Sequence, residues 1–277
     1  MMRLNNGMDF PEIGIGTYML SPTEAENSVR EALRMGYRMV DTANAYVNER
    51  ACGRGIRDSG VDRKDVFVST KLWPSEYGNP DAVDETLERL GLDYVDLLYI
   101  HQPAGDWLAG YRQLEKAYRE GKVRAIGISN FEGKYLDQLK AKWEIVPQFI
   151  QVEAHPYFTQ KDLRTIIDPL GIRIMSWYPL GHGDSRLISE PVFAEIAKRH
   201  GKTPAQVILR WHVQMGFAVI PGSRNVAHIR DNFDILDFEL SDEEMSSIAV
   251  LDRGERYYHR TDAQLEQFAG WRPTFEQ

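Results

Sequence analysis

Short runs of apolar residues alternate along the chain with longer stretches in which apolar positions recur every three or four residues. The runs lie near Glu12 to Thr17, then at MVDTA from Met39, VFVSTKL from Val66, VDLLYIH from Val95, AIGISN from Ala125, FIQVE from Phe149, IRIMSWYPL from Ile172 and FAVIP from Phe217. Near-continuous hydrophobicity over so few residues suits strands covered on both faces. Between them the spacing predicts helices, for example Thr23 to Met35 after Pro22, Asp81 to Leu90 after Pro80, Leu108 to Glu120 before Gly121, and Thr203 to Met215 with Pro204 near its start. Strand, helix and strand in this order make βαβ units with parallel strands. Eight such units close into an α/β (β/α)8 barrel, a TIM barrel, which leaves no sheet edge open.

An open doubly wound sheet is the alternative, because periodicity does not report closure. Against it, no run is followed by G-x-G-x-x-G. GIGTYM at Gly14 has only the first two glycines, and GRGIRD at Gly53 begins inside a helical stretch. Before the first run, Met1 to Phe10 reads as a hairpin over the barrel's lower end, with Asn6-Gly7 as its turn. After the last run, an amphipathic helix is expected from Leu240 to Leu251, followed by an irregular tail whose aromatics pack on the body of the protein. No linker or low-complexity tract divides residues 1–277, so a single domain is expected.

Composition narrows the function classes. The net charge of −8 weighs against nucleic acid and other polyanionic partners. One cysteine, Cys52, rules out an internal disulfide and a cysteine zinc cluster. No window approaches the roughly 20 apolar residues needed to span a bilayer, and the first residues lack the apolar core of a signal peptide. A cytoplasmic protein without a membrane partner is the expectation.

The candidate chemistry sits at strand ends, which in a barrel all open into one mouth. Asp41 closes the second run, Lys71 the third and His101 the fourth, and Tyr46 follows Asp41 after a short turn. A phenol such as Tyr46 can protonate a carbonyl oxygen as the carbon accepts hydride. It titrates near 10 when free, so Lys71 is expected to lower its pKa while Asp41 holds the lysine. His101 is placed to orient the same oxygen. Taken singly, Asp41 reads as a turn former, Tyr46 as packing, Lys71 as a solvated strand end and His101 as a loop residue. Their succession after neighbouring strands makes four separate explanations uneconomical.

Ser129, Asn130 and Gln151 offer hydroxyl and amide groups for a nicotinamide carboxamide, and Trp177 offers an aromatic face. The segment Pro221 to Asn232 supplies backbone donors for phosphate, with Ser223 and Arg224 adding side chains and His228 and Asn232 sharing one helical face. Tyr18, Trp73, His101 and Trp107 are candidates for the carbonyl side of the mouth.

In this combination the sequence resembles the aldo-keto reductases, close to the bacterial 2,5-diketo-D-gluconate and small-dicarbonyl reductases. The resemblance rests on GIGTY at Gly14, DTANAYVNE at Asp41, STKLW at Ser69, LLYIHQP at Leu97, GKVRAIGISNF at Gly121, QVEAHPY at Gln151 and the VIPGS region, in family order across nearly the whole chain. It implies catalytic roles for Asp41, Tyr46, Lys71 and His101, and nicotinamide contacts from Ser129, Asn130, Gln151 and Trp177, with Leu180 in the same cofactor-side segment. It also implies that no metal takes part, and a monomer, with a dimer through the tail aromatics as the alternative. Where the family often has Pro-Lys-Ser this chain has Pro221-Gly222-Ser223, and His228 stands where an arginine is frequent. NADPH is therefore favoured over NADH only through Arg224, and NADH use is open. Two other classes remain: an aldolase or isomerase working through Lys71, and a nicotinamide-binding sensor without turnover.

Overall fold

The computed structural model of the chain describes residues 2–275, apart from the side chain of His182. Met1, the first residue of the expected hairpin, and the tail residues Glu276 and Gln277 lie outside the described residues. Strands β1 (Met2–Arg3) and β2 (Asp9–Phe10) pair antiparallel around the Asn6-Gly7 turn. The sheet that follows contains β3 (Ile15–Gly16), β4 (Met39–Asp41), β5 (Phe67–Leu72), β6 (Leu97–Ile100), β7 (Ile126–Ser129), β8 (Phe149–Glu153), β9 (Arg173–Trp177) and β10 (Ala218–Val219), all parallel and in sequential order. The two end strands then meet. Gly14 N–H donates to the Val219 carbonyl at 2.8 Å and Val219 N–H to the Glu12 carbonyl at 2.9 Å, closing the barrel.

Two hydrophobic layers follow from the twofold alternation of the strands. Val40, Val68, Leu98, Ile126, Ile150 and Ile174 point outward into the core shared with the helices. Their neighbours Met39, Phe67, Leu97, Ala125, Phe149 and Met175 point inward and form a second core, plugged from below by Leu4 and Phe10 of the hairpin. Along each strand the inward series then changes character: Met39 is followed by Asp41, Phe67 by Ser69 and Lys71, Leu97 by Tyr99 and His101, and Phe149 by Gln151. The barrel interior is oily at its floor and polar at its mouth, and that gradient creates the site.

Packing at mid-height is tight enough to constrain sequence. A Cβ on Gly127 would stand 2.3 Å from the Tyr99 ring, so only glycine admits that aromatic between β6 and β7. The four helices named from sequence are present at Pro22–Met35, Ala82–Leu90, Trp107–Arg119 and Pro204–Gln214. Reciprocal capping boxes at Ser21/Glu24 and Thr203/Gln206 start the first and last of them.

The C-terminal tail is a correction. The helix expected from Leu240 to Leu251 runs from Asp242 to Ala249, but the tail beyond it contains a second helix, Asp262–Gly270, capped by Thr261 and Gln264. Among the described residues no helix is long and apolar enough to cross a membrane.

Candidate active site

The barrel mouth opens into a cavity of about 960 Å³. Asp41, at the end of β4, is buried and has both oxygens engaged. Oδ2 accepts from Lys71 Nζ at 2.6 Å, and Oδ1 accepts from Ser69 Oγ at 2.7 Å and Gln151 Nε2 at 3.1 Å. Lys71, fully buried on β5, also donates to the Thr42 carbonyl at 2.7 Å. Tyr46 lies on the single turn Asn44–Tyr46, with its ring centroid 4.9 Å from Lys71 Nζ and 5.7 Å from the His101 ring. The four residues named from sequence thus come together, with Asp41, Tyr46 and His101 on the cavity wall and Lys71 buried behind them.

Protonation follows from enclosure. Burial pushes the Tyr46 phenol well above its usual value, and the Asp41 carboxylate adds to the rise. Burial holds His101 well below the ordinary histidine range, with Lys71 acting in the same direction, so its ring is neutral near pH 7. Burial also lowers the Lys71 pKa, opposed by Asp41. The expected lowering of the tyrosine by lysine is therefore not what the resting site shows. The lysine's charge is consumed by Asp41 and Thr42, and the phenol feels desolvation first.

Ser129, Asn130, Gln151, Trp177, Leu180 and Asn232 all line the cavity. Asn130 and Tyr178, just past β7 and β9, adopt left-handed backbone at φ 64° and 54°, and such strained positions concentrate at functional sites. Trp177 Nε1 donates to Asn130 Oδ1 at 3.2 Å, and Asn130 Nδ2 donates to Ser129 Oγ at 3.1 Å, so the aromatic face and the amide are fixed together. A row of hydroxyl and amide groups beside a broad aromatic face fits a nicotinamide ring. The trough leading away from it is narrow: a Cβ on Gly222 would lie 2.9 Å from the Gly16 carbonyl oxygen.

Ser223, Arg224 and His228 do not line this cavity. They occupy the exposed turn and helix after β10, where Ser223 Oγ accepts from Asn225 N–H at 3.1 Å and Arg224 lies 3.2 Å from Glu24 Oε1. On the substrate side Tyr18, Trp73 and His101 line the cavity, but Trp107 does not. The turn at Gly105, with φ 59°, carries the chain outward, and the Trp107 ring packs edge-on against Phe131 at 5.7 Å.

The residues 12–253 match the model of the aldo/keto reductase family. The chain belongs to that family. Its coarse chemistry is accordingly NAD(P)H-dependent carbonyl reduction by an oxidoreductase. The chain is 43% identical to morphine 6-dehydrogenase of Pseudomonas putida, covering 92% of each chain. It is 44% identical to glyoxal reductase of Bacillus subtilis, over 92% of this chain and 94% of the relative. Among solved structures, an aldo-keto reductase from a Medee basin deep-sea metagenome library superposes with a TM-score of 0.91 at 38% identity, covering 95% and 98% of the two chains. A Bombyx mori aldo-keto reductase in complex with NADP gives 0.87 at 32%, covering 95% and 96%. These names span different substrates and do not single out the diketogluconate branch.

Sequence reasoning missed the cavity wall contributed by the tail. Tyr258, Gln267, Phe268 and Trp271 line the mouth, as does Gln102 beside the expected histidine. The tail is anchored where Glu153 accepts the backbone N–H groups of Tyr257 at 2.6 Å and Tyr258 at 3.1 Å, and where Arg256 pairs with Glu132. The T-x-x-Q box at Thr261 was the available signal for its helix.

Proposed function

We propose that this aldo/keto reductase reduces neutral aldehydes, ketones and small dicarbonyl compounds to alcohols, with NADPH favoured and NADH accepted. The observation that carries the reading is the contact set Asp41–Lys71–Tyr46–His101, in which Asp41, Tyr46 and His101 line an aromatic cavity and Lys71 is buried behind them. A bound nicotinamide supplies the hydride. Tyr46, kept protonated by burial, donates its proton to the substrate oxygen, which becomes more basic than a phenolate as it gains charge. Lys71 then matters more than in the resting site: 4.9 Å from the ring, it stabilises the phenolate that forms. Neutral His101 orients the carbonyl oxygen, and Asp41 keeps Lys71 charged and fixed.

Ser129, Asn130 and Gln151 would hold the carboxamide edge and Trp177 would cover the ring. The NADP complex of the Bombyx mori relative supports the phosphorylated cofactor. Arg224, released from Glu24, is the side chain of this chain that would meet the 2′-phosphate. On the substrate side no arginine or lysine lines the cavity among the described residues. The small-dicarbonyl side of the branch therefore suits it better than sugar acids, in keeping with the name of the glyoxal reductase. An aldolase role for Lys71 is disfavoured by its complete burial and its 2.6 Å contact with Asp41.

The test is turnover of methylglyoxal and simple aromatic aldehydes with NADPH and NADH, run beside Tyr46→Phe. A loss of about 10²–10⁴-fold in kcat, with cofactor binding retained, is the expected result for removing a general acid. Wild-type protein that binds NADPH but turns over no carbonyl compound would favour the sensor reading.

A further inference from the structure

Glu49 is a buried carboxylate that the reaction described above does not use. It opens the helix Glu49–Ser59, is 2% exposed and does not line the cavity. Three side chains meet it. Oε1 accepts from Thr70 Oγ1 at 2.6 Å, and Oε2 accepts from Arg89 Nε at 2.7 Å. Asn44 Nδ2 lies 3.1 Å from Oε1 and 3.0 Å from Oε2. Two of these partners adjoin the reacting groups. Thr70 precedes Lys71 on β5, and alternation turns its side chain to the outer face of the sheet while Lys71 points inward. Asn44 begins the single turn that carries Tyr46, and its Oδ1 accepts the Trp73 N–H at 3.4 Å. Val47, directly after that turn, has φ 54°, a conformation that a β-branched residue keeps only when its surroundings impose it. Asn48 holds the chain on the far side of the turn by donating to the Thr17 and Leu20 carbonyls. Asn44, through Glu49, holds the near side.

We infer that Glu49 is a positioning residue for the reduction: from behind the barrel wall it binds the Tyr46 turn to the strand that carries Lys71, and so fixes the proton donor where the substrate oxygen meets it. The inference rests on the reductase reading above. A displacement of about 1 Å at a reacting group can cost on the order of a hundredfold in rate. Glu49, Asn44, Thr70 and Arg89 are all outside the cavity lining, so breaking their network acts on the chemical step and not on contacts with substrate or cofactor.

The test measures single-turnover oxidation of NADPH at saturating methylglyoxal in wild type, Glu49→Gln, Thr70→Val and Thr70→Ser. NADPH deuterated at the transferred position confirms that the observed step is hydride transfer, and thermal melts establish which variants fold. The single-turnover rate constant, unlike its amplitude, does not depend on the fraction of molecules folded, so a loss of folded protein alone leaves it unchanged. It is expected to fall about a hundredfold in Glu49→Gln and about tenfold in Thr70→Val, the scale of one buried hydrogen bond. KM for methylglyoxal and Kd for NADPH should stay within about twofold of wild type. Thr70→Ser, which keeps the hydroxyl, should retain the wild-type rate constant. Glu49→Gln leaves Arg89 without its carboxylate; if that variant does not fold, the Thr70 pair, which leaves the ion pair whole, decides alone. A wild-type rate constant in Thr70→Val or in folded Glu49→Gln overturns the inference, as does an equal fall in Thr70→Val and Thr70→Ser or a change confined to KM. Absence of turnover by the wild type with every carbonyl compound is a different failure: it removes the reductase reading first, and this inference with it.

Discussion

Oδ2 of Asp41 accepts from Lys71 at 2.6 Å while Oδ1 accepts from Ser69 and Gln151, so one carboxylate ties β4, β5 and β8 together inside the barrel. Such a pair is costly to desolvate and costlier to break, because removing one partner strands a buried charge. Asp41→Ala is therefore expected to lose about 3–5 kcal/mol in urea denaturation at pH 7. The double variant Asp41→Leu/Lys71→Met, with both charges gone, should recover most of that loss. A single variant within about 1 kcal/mol of wild type would mean that the lysine finds other solvation and that the pair is not the structural clasp described.

At the scale of elements, the strands were legible because each is an apolar run covered on both faces, and the helices with proline and glycine punctuation were legible for the same local reasons. Asp41, Lys71 and His101 were legible because a parallel barrel brings every strand end to one mouth. Closure was not, since it depends on the meeting of Glu12 to Gly14 with Val219 across some 200 residues of chain. Nor was the outward course of Trp107 or the tail's place over the cavity. The tail is set by long-range contacts to Glu153, Glu132 and Asn130, whose partners have no fixed spacing in sequence. Glu153 anchors the tail by accepting two of its backbone amides and is itself held 2.9 Å from the ring of His155. Glu153→Ala is expected to loosen residues 253–260 selectively. Limited trypsin digestion should then cut at Arg253 or Arg260 at least tenfold faster than in wild type while the barrel stays intact, on the reasoning that a local opening loses more than one buried hydrogen bond. Equal cleavage rates in the two proteins would show that the aromatic contacts to Trp73 hold the tail without the carboxylate.

For the whole molecule, stability should depend on pH through histidines that the fold keeps neutral. His212 is fully buried, with Nδ1 2.8 Å from the Ile208 carbonyl and Nε2 3.0 Å from that of Ala154. Those carbonyls favour the charged ring, but burial outweighs them and holds its pKa down at about 4. His101 is shifted in the same direction. In the unfolded chain a histidine titrates near 6.5. Below that pH the unfolded state binds a proton that the folded state refuses, so the His212 contribution is complete above about 6.5 and is lost as pH falls toward 4. Between pH 7 and 5 the loss from this one residue is about 2 kcal/mol at 1.36 kcal/mol per unit. Urea denaturation of wild type and His212→Gln at both pH values isolates it, since the carboxylates contribute equally to the two proteins. The variant should lose about 2 kcal/mol less than wild type on acidification. Equal losses would remove His212 as a source of acid sensitivity. A larger loss in the variant would mean that the two carbonyls win over burial and the ring is charged in the fold.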